Sequence, residues 1–184
     1  MNSNFFIGIL NGGESKRMGS PKALAIYNGI TFFENIYNIA IQFSKNIYRL
    51  GDAEVPKKFQ SVPIITDDKK LGPLSGIIAA YNYKKIDWFI WAVDMPLITK
   101  EIIEEILKLK EISKYGVIAY NKEIKKFEPF CAYYSKELLN DIVNTVDNEN
   151  YSLQRILKLL HFKGNEELFE KYKDNFKSIN YITG

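Results

Sequence analysis

The chain is poor in sulfur and imidazole, with one cysteine, Cys131, and one histidine, His161, in 184 residues. A lone cysteine closes no internal disulfide, and these two residues are too few soft ligands for a zinc site, so any metal ion would have to sit on oxygen. No apolar run approaches the roughly 18 residues of a membrane-spanning helix, and the first residues lack a basic segment followed by a long hydrophobic one. A reduced, cytoplasmic setting without a membrane partner is the expectation. Charge of one sign is scarce too. Twenty-five Lys and Arg against 22 Asp and Glu leave +3, too small a surplus to call for nucleic acid, so anion binding must come from local charge.

What is present is a globular composition, 46% apolar and 26% charged, sufficient for a sizeable core in one domain over 1–184. No internal repeat, low-complexity tract or linker rich in Gly, Ser or Pro interrupts it. Phe5 to Leu10 is a short unbroken apolar run that stops at Asn11-Gly12-Gly13, the pattern of a strand covered on both faces. Thr31 and Glu34 stand at capping-box spacing, and Phe32, Phe33, Ile36, Ile39, Ala40 and Phe43 follow at helical intervals, which predicts a helix over 31–44. Strands are expected at 46–50 and 62–66, then a helix over 75–84 after the Gly72-Pro73 break, then a central strand at 88–93. Thr99 opens a helix with Ile102, Ile103, Ile106, Leu107 and Leu109 on one face. Strands at 115–120 and 127–134, helices at 135–146 and 153–160, and a last strand at 176–180 complete the reading. The alternation of strands and helices predicts an α/β fold of three layers with a mostly parallel sheet.

In such a sheet ligands bind beyond the carboxyl ends of the strands, and three of the loops there are unusual. The first, 10–22, holds Gly12, Gly13 and Gly19 together with Lys16, Arg17 and Lys22. Glycines let backbone N–H groups approach an anion, and the cations supply countercharge, so its composition is that of a phosphate site. It is neither a P-loop nor a dinucleotide fingerprint, because Gly19 is followed by Ser20-Pro21 and no G-x-G-x-x-G occurs. The second loop begins Asp67-Asp68 and reaches Gly72-Pro73-Leu74-Ser75-Gly76. A carboxylate there can accept hydrogen bonds from a ribose or base, and Ser75 can cap the next helix. In the third, Asp94 emerges from the most apolar strand just before Met95-Pro96. Desolvating its charge costs several kcal/mol without a partner, and a hard cation such as Mg²⁺, bridging to substrate phosphates, would be one.

Together these segments resemble the nucleotidylyltransferase family of molybdenum cofactor guanylyltransferase, the MobA type. Leu10, Gly12, Gly13, Ser15, Arg17, Met18, Gly19 and Lys22 match its opening L-A-G-G-x-S-x-R-M-G and following Lys in order. Gly72-Pro73-Leu74-Ser75-Gly76 looks like its G-P-L-A-G, and Asp94-Met95-Pro96 is similar to its D-x-P. The resemblance implies a three-layer α/β/α Rossmann-like nucleotidyltransferase fold. It implies that Leu10, Asn11 and Gly12 line the base and ribose pocket, with Gly13 and Ser15 in the same nucleotide-binding loop. Lys22 would contact the phosphates, Arg17 would join the triphosphate cradle, Asp67 would contact the nucleoside, and Asp94 would bind Mg²⁺. The G-P-L-S-G loop favours the guanylyl branch over cytidylyl relatives. Asn11 departs from the family's Ala, and Arg49 falls where some members carry an Asn against the guanine. Phe176 to Tyr181 resembles the family's F-x-N-x-N-T with only Asn180 of the two asparagines kept, and Glu128-Pro129 sits where the family has an E-P or H-P turn. Glu128 and Asn180 are therefore the acceptor-binding candidates.

The reaction so implied is attack of an acceptor phosphate on the α-phosphorus of GTP, with a pterin phosphate as acceptor and other proteins of molybdenum cofactor biosynthesis as partners. Catalysis would rest on Arg17, Lys22 and Asp94. An ionised phosphate needs no general base, which suits a chain whose histidine reads as a helix residue at the edge of the core and whose cysteine reads as strand packing. Two alternatives stay open: a nucleotidylyltransferase with another base or acceptor (molybdopterin cytidylyl, sugar phosphate or methylerythritol phosphate), and a nucleotide-binding module without turnover.

Overall fold

The computed structural model describes residues 4–12, 21–66, 72–146 and 152–179. After β1 (Phe5–Leu10) come a small hairpin of β2 (Ile26–Tyr27) and β3 (Ile30–Thr31), then α1 (Phe32–Ala40), β4 (Ile47–Leu50), β5 (Ile64–Ile65) and α2 (Pro73–Tyr83). The second half runs β6 (Asp87–Ala92), α3 (Lys100–Leu109), β7 (Gly116–Asn121), β8 (Lys126–Tyr134), α4 (Lys136–Thr145), α5 (Leu153–Leu159) and α6 (Glu166–Tyr172). The main sheet has six strands in the order β5-β4-β1-β6-β8-β7. β5, β4, β1 and β6 are parallel neighbours, while β8 runs against both β6 and β7.

Trp88, Phe89, Ile90 and Trp91 of β6 are fully buried, and they separate by the period of two of a strand. Phe89 and Trp91 pack with Phe32, Phe33 and Ile36 of α1 and Ile102, Ile103 and Ile106 of α3. Trp88 and Ile90 pack with Leu74 and Ile77 of α2, Leu138 and Ile142 of α4, and Ile156 of α5. The sheet is thus covered on both faces, giving three layers, and each such side chain contributes about 1.5–3 kcal/mol. Thr31 caps α1, its Oγ1 accepting from the Glu34 N–H at 3.2 Å. Among the described residues no helix is long and apolar enough to cross a membrane.

The path of the chain places the site. From β1 it steps to β4 through α1 on one face, and from β5 it returns through α2 on the other face to β6, on the far side of β1. The order therefore reverses between β1 and β6, and the crevice beyond their carboxyl ends is where ligands of open α/β sheets bind.

Several elements differ from expectation. The first helix ends at Ala40 rather than at 44 because Ser44 turns the chain, its hydroxyl donating to the Phe5 carbonyl at 3.1 Å. β5 keeps two residues of the run expected at 62–66, since Pro63 has no N–H for the ladder. The second helix starts at Pro73, so Ser75 lies inside its first turn and Gly72 holds the cap position. Residues 176–179 form no strand, and Asn180 lies outside the described residues. The β2–β3 hairpin and α6 were not expected from the sequence. The β2–β3 hairpin turns on Asn28-Gly29, both at positive φ, the dipeptide that favours such turns. α6 hides in a charged stretch, where Asn165 caps it by accepting from the Leu168 N–H at 2.7 Å and Leu168 and Phe169 are buried.

His161 is not a helix residue but follows Leu160, the C-cap of α5, and is exposed, at φ 51°. Its N–H donates to the Lys158 carbonyl at 3.0 Å and that of Phe162 to Leu157 at 2.9 Å, the pair of bonds of a Schellman cap in which glycine is usual. Strain of about 1–2 kcal/mol for a left-handed L-residue exceeds glycine's entropic cost of about 0.5–1 kcal/mol. His161→Gly is accordingly expected to raise unfolding free energy by about 0.5–1 kcal/mol, read as a higher urea midpoint with an unchanged slope.

Candidate active site

β1 and β6 end level with each other, Leu10 opposite Ala92, and the ladder carries on one residue, the Val93 N–H donating to the Leu10 carbonyl at 3.1 Å. Asn11 then leaves the sheet almost wholly buried, 1% exposed. Its Nδ2 donates to the Ala53 carbonyl at 2.7 Å and its own carbonyl accepts from the Ala53 N–H at 3.1 Å, stapling the loop after β1 to the loop after β4. Gly51 makes this approach possible. It sits at φ 114°, and a Cβ there would lie 2.8 Å from the Asn11 carbonyl oxygen. Leu10 is buried under the first turn of α2, where a Cβ on Gly76 would stand 2.7 Å from its Cδ2. The last glycine of the G-P-L-S-G segment thus serves close packing of α2 on the ends of β1 and β4. Gly12 is exposed at the mouth of the crevice.

Lys22 and Asp94 meet at this point. Lys22 opens a short 3-10 turn, Lys22–Leu24, after Pro21, and its Nζ lies 2.7 Å from Asp94 Oδ2. Their side chains are 27% and 20% exposed, so the pair is reachable by a ligand from solvent. A partly exposed pair of this kind adds little to stability, about 0–1 kcal/mol, but it brings a cation and a carboxylate together beyond the ends of β1 and β6. Among the described residues no three His, Cys, Asp or Glu cluster as a ready metal cage. A partly exposed carboxylate as oxygen donor fits the chemistry of Mg²⁺, which is held through one or two carboxylates and the substrate.

Of the residues singled out in the sequence, Leu10, Asn11, Gly12, Lys22 and Asp94 come together here. Gly13, Ser15, Arg17, Asp67 and Asn180 lie outside the described residues. Arg49 has a different occupation from the one its position suggested. It is 6% exposed, its Nε donates to the Val62 carbonyl at 3.1 Å and its Nη2 to Gln60 at 3.4 Å, so it anchors the segment before β5. Cys131 is fully buried and its thiol pKa is pushed up by burial, which makes it an inert packing residue. Ala53 and Gly51 were missed, and only the glycine following β4 hinted at them.

Glu128 lies at the same end of the sheet as the ion pair. β8 runs against β6 with Cys131 opposite Trp91, which carries Glu128 past the carboxyl end of β6. There it lines a cleft of about 500 Å³ with Asn121, Phe169, Lys173, Phe176 and Lys177. Burial raises its carboxyl pKa, with Lys126 acting in the opposite direction. A raised pKa means that the folded state holds the proton more tightly. Stability therefore falls as pH climbs from the ordinary carboxyl value of about 4.3 through the raised one. Glu128→Gln removes that loss: the variant should unfold at higher urea than the parent at about pH 7, and the difference should vanish near pH 4, below both pKa values.

The model of the MobA-like NTP transferase domain matches residues 7–167. A protein of Bacillus cytotoxicus described as a probable molybdenum cofactor guanylyltransferase is 30% identical over 173 residues, covering 89% of this chain and 86% of its own length. One of the same description from Bacillus cereus is 29% identical over 162 residues, 84% of this chain and 80% of its own. Among solved structures, molybdopterin-guanine dinucleotide biosynthesis protein A from Archaeoglobus fulgidus superposes with a TM-score of 0.70 at 20% identity, covering 95% of this chain and 91% of that one, a likeness of fold. With its six-stranded, mostly parallel sheet and a domain match over residues 7–167, the chain belongs to the MobA-like NTP transferase family.

Proposed function

We propose that this nucleotidyltransferase moves the guanylyl group of GTP onto the phosphate of a molybdopterin-type acceptor and releases pyrophosphate. The observation that carries the reading is the Lys22–Asp94 pair at the switch point between β1 and β6. The description shared by the two Bacillus relatives supports the choice of base and acceptor. An acceptor phosphate oxygen attacks the α-phosphorus, a new P–O bond forms, the bond from that phosphorus to the bridging oxygen of the β-phosphate breaks, and pyrophosphate leaves. The attacking oxygen is ionised near neutral pH, so no side chain need take a proton. Lys22 balances charge on the transferring and leaving phosphates, and Arg17 shares that task as the motif assigns it. Asp94 would hold Mg²⁺, which when bound would supply further charge neutralisation. Leu10, Asn11, Gly12, Gly13, Ser15 and Asp67 form the nucleoside side, and the cleft at Glu128 lies on the acceptor side.

Calorimetric titration with GTP, CTP, UTP and ATP in the presence of Mg²⁺ should show selective binding of GTP, followed by pyrophosphate release when molybdopterin is added. Preference for CTP or UTP would overturn the guanylyl assignment, and GTP binding without turnover on molybdopterin would overturn the transfer. Lys22→Ala should slow turnover about a hundredfold, the loss of about 3 kcal/mol typical of one preorganised charge contact. Asp94→Ala should abolish Mg²⁺-dependent turnover with the fold intact by circular dichroism, and an active variant would remove Asp94 from the metal role.

A further inference from the structure

The loop after β6 is held from outside in an unusual way. Each carbonyl from Asp94 to Leu97 accepts a hydrogen bond: Asp94 from the Ile179 N–H at 2.8 Å, Met95 from the Trp91 indole at 3.3 Å, Pro96 from Asn35 Nδ2 at 2.8 Å, and Leu97 from Asn175 Nδ2 at 2.7 Å. Trp91 belongs to β6 itself, but Asn35 comes from the middle of α1 and Asn175 from the stretch after α6. Neither side-chain amide completes a helix end or a strand ladder, although the Asn175 backbone N–H closes the end of α6 on the Tyr172 carbonyl at 2.8 Å. In a helix interior Asn is a poor choice, being inclined to bond the backbone in other conformations; here the amide of Asn35 reaches across to a loop 61 residues away. Asn175 spans 78 residues to do the same.

Resting on the reading of Asp94 as a substrate-side carboxylate, we propose that Asn35 and Asn175 are positioning residues that hold the Asp94 loop in the geometry required for transfer. The physical ground is the tolerance of such sites. A carboxylate that must stay paired with Lys22 and present an oxygen to Mg²⁺ is useful within about 0.5 Å of its place, and a misplacement of about 1 Å can cost a hundredfold in rate. The loop has no regular secondary structure to fix it. Two amides brought in from either flank do so instead, one before and one after Asp94 in the chain.

The test uses Asn35→Asp, Asn175→Asp and the double variant, which keep the shape and remove the donor. In the ligand-free protein, the acetylation rate of Lys22 by a small acylating reagent, followed by peptide mass spectrometry, reports its pairing with Asp94. Each variant should raise that rate severalfold toward the value in Asp94→Asn, with hydrogen exchange accelerated at 93–98 and unchanged in β1 and β4. In turnover with whichever nucleotide the parent uses, kcat should fall about tenfold per variant while the nucleotide KM stays within about twofold, the signature of an interaction realised in the transition state. Unchanged Lys22 reactivity overturns the proposal. So does exchange accelerated evenly over the whole protein with a matching drop in Tm, which would make the two asparagines merely structural. A rise in KM with kcat preserved also overturns it. If the parent fails to use GTP, the guanylyl reading falls, while Lys22 reactivity and loop exchange still decide the role of the asparagines.

Discussion

The site rests on the parallel pairing of β1 with β6. Their register, from Phe5 opposite Asp87 to Leu10 opposite Ala92, makes the two strands stop at the same level, so the loops carrying Asn11 and Asp94 leave the sheet side by side. That register is strongly specified because both faces of both strands are covered. A slip by one residue would exchange Phe89 and Trp91 with Trp88 and Ile90 between two already filled layers, and every large side chain would meet the wrong cavity. Core packing thus sets the separation at which Lys22 and Asp94 can meet.

On one side of this axis, polar side chains do work that a longer sheet would do elsewhere. β5 has two residues and gives the end of β4 few ladder partners. Arg49 and Asn11 make up for it by donating to the carbonyls of Gln60, Val62 and Ala53. Both are almost fully buried, and both satisfy backbone acceptors that burial would otherwise leave unpaired. These two residues thus have a local structural role, and burial lowers the pKa of Arg49.

On the other side, the chain beyond α6 has two neighbours. Lys173, Phe176 and Lys177 line the cleft that Glu128 enters, and Asn175 and Ile179, interleaved with them, hold the Asp94 loop. The same short segment therefore forms a wall of the Glu128 cleft and a support of the Asp94 loop. No regular pairing predicts this, since residues 176–179 do not join the sheet.

The sequence by itself determined what depends on near neighbours in the chain. Apolar period and caps place β1, β6, α1 and α3 within a few residues, because helix, strand and turn chemistry act over a handful of positions; the glycines and cations of 10–22 mark a phosphate site, and the resemblance of its motif implies a nucleotidyltransferase. Only the tertiary structure decided the reversed direction of β8, the stapling of Asn11 to Ala53, the diversion of Arg49 to the segment before β5, and the hold of Asn35 and Asn175 on residues 96 and 97. Each is a contact between residues far apart in the chain, made by side chains such as Asn and Arg that suit many local settings equally well. Their partners are set by how the layers close, and that is a property of the whole packed core.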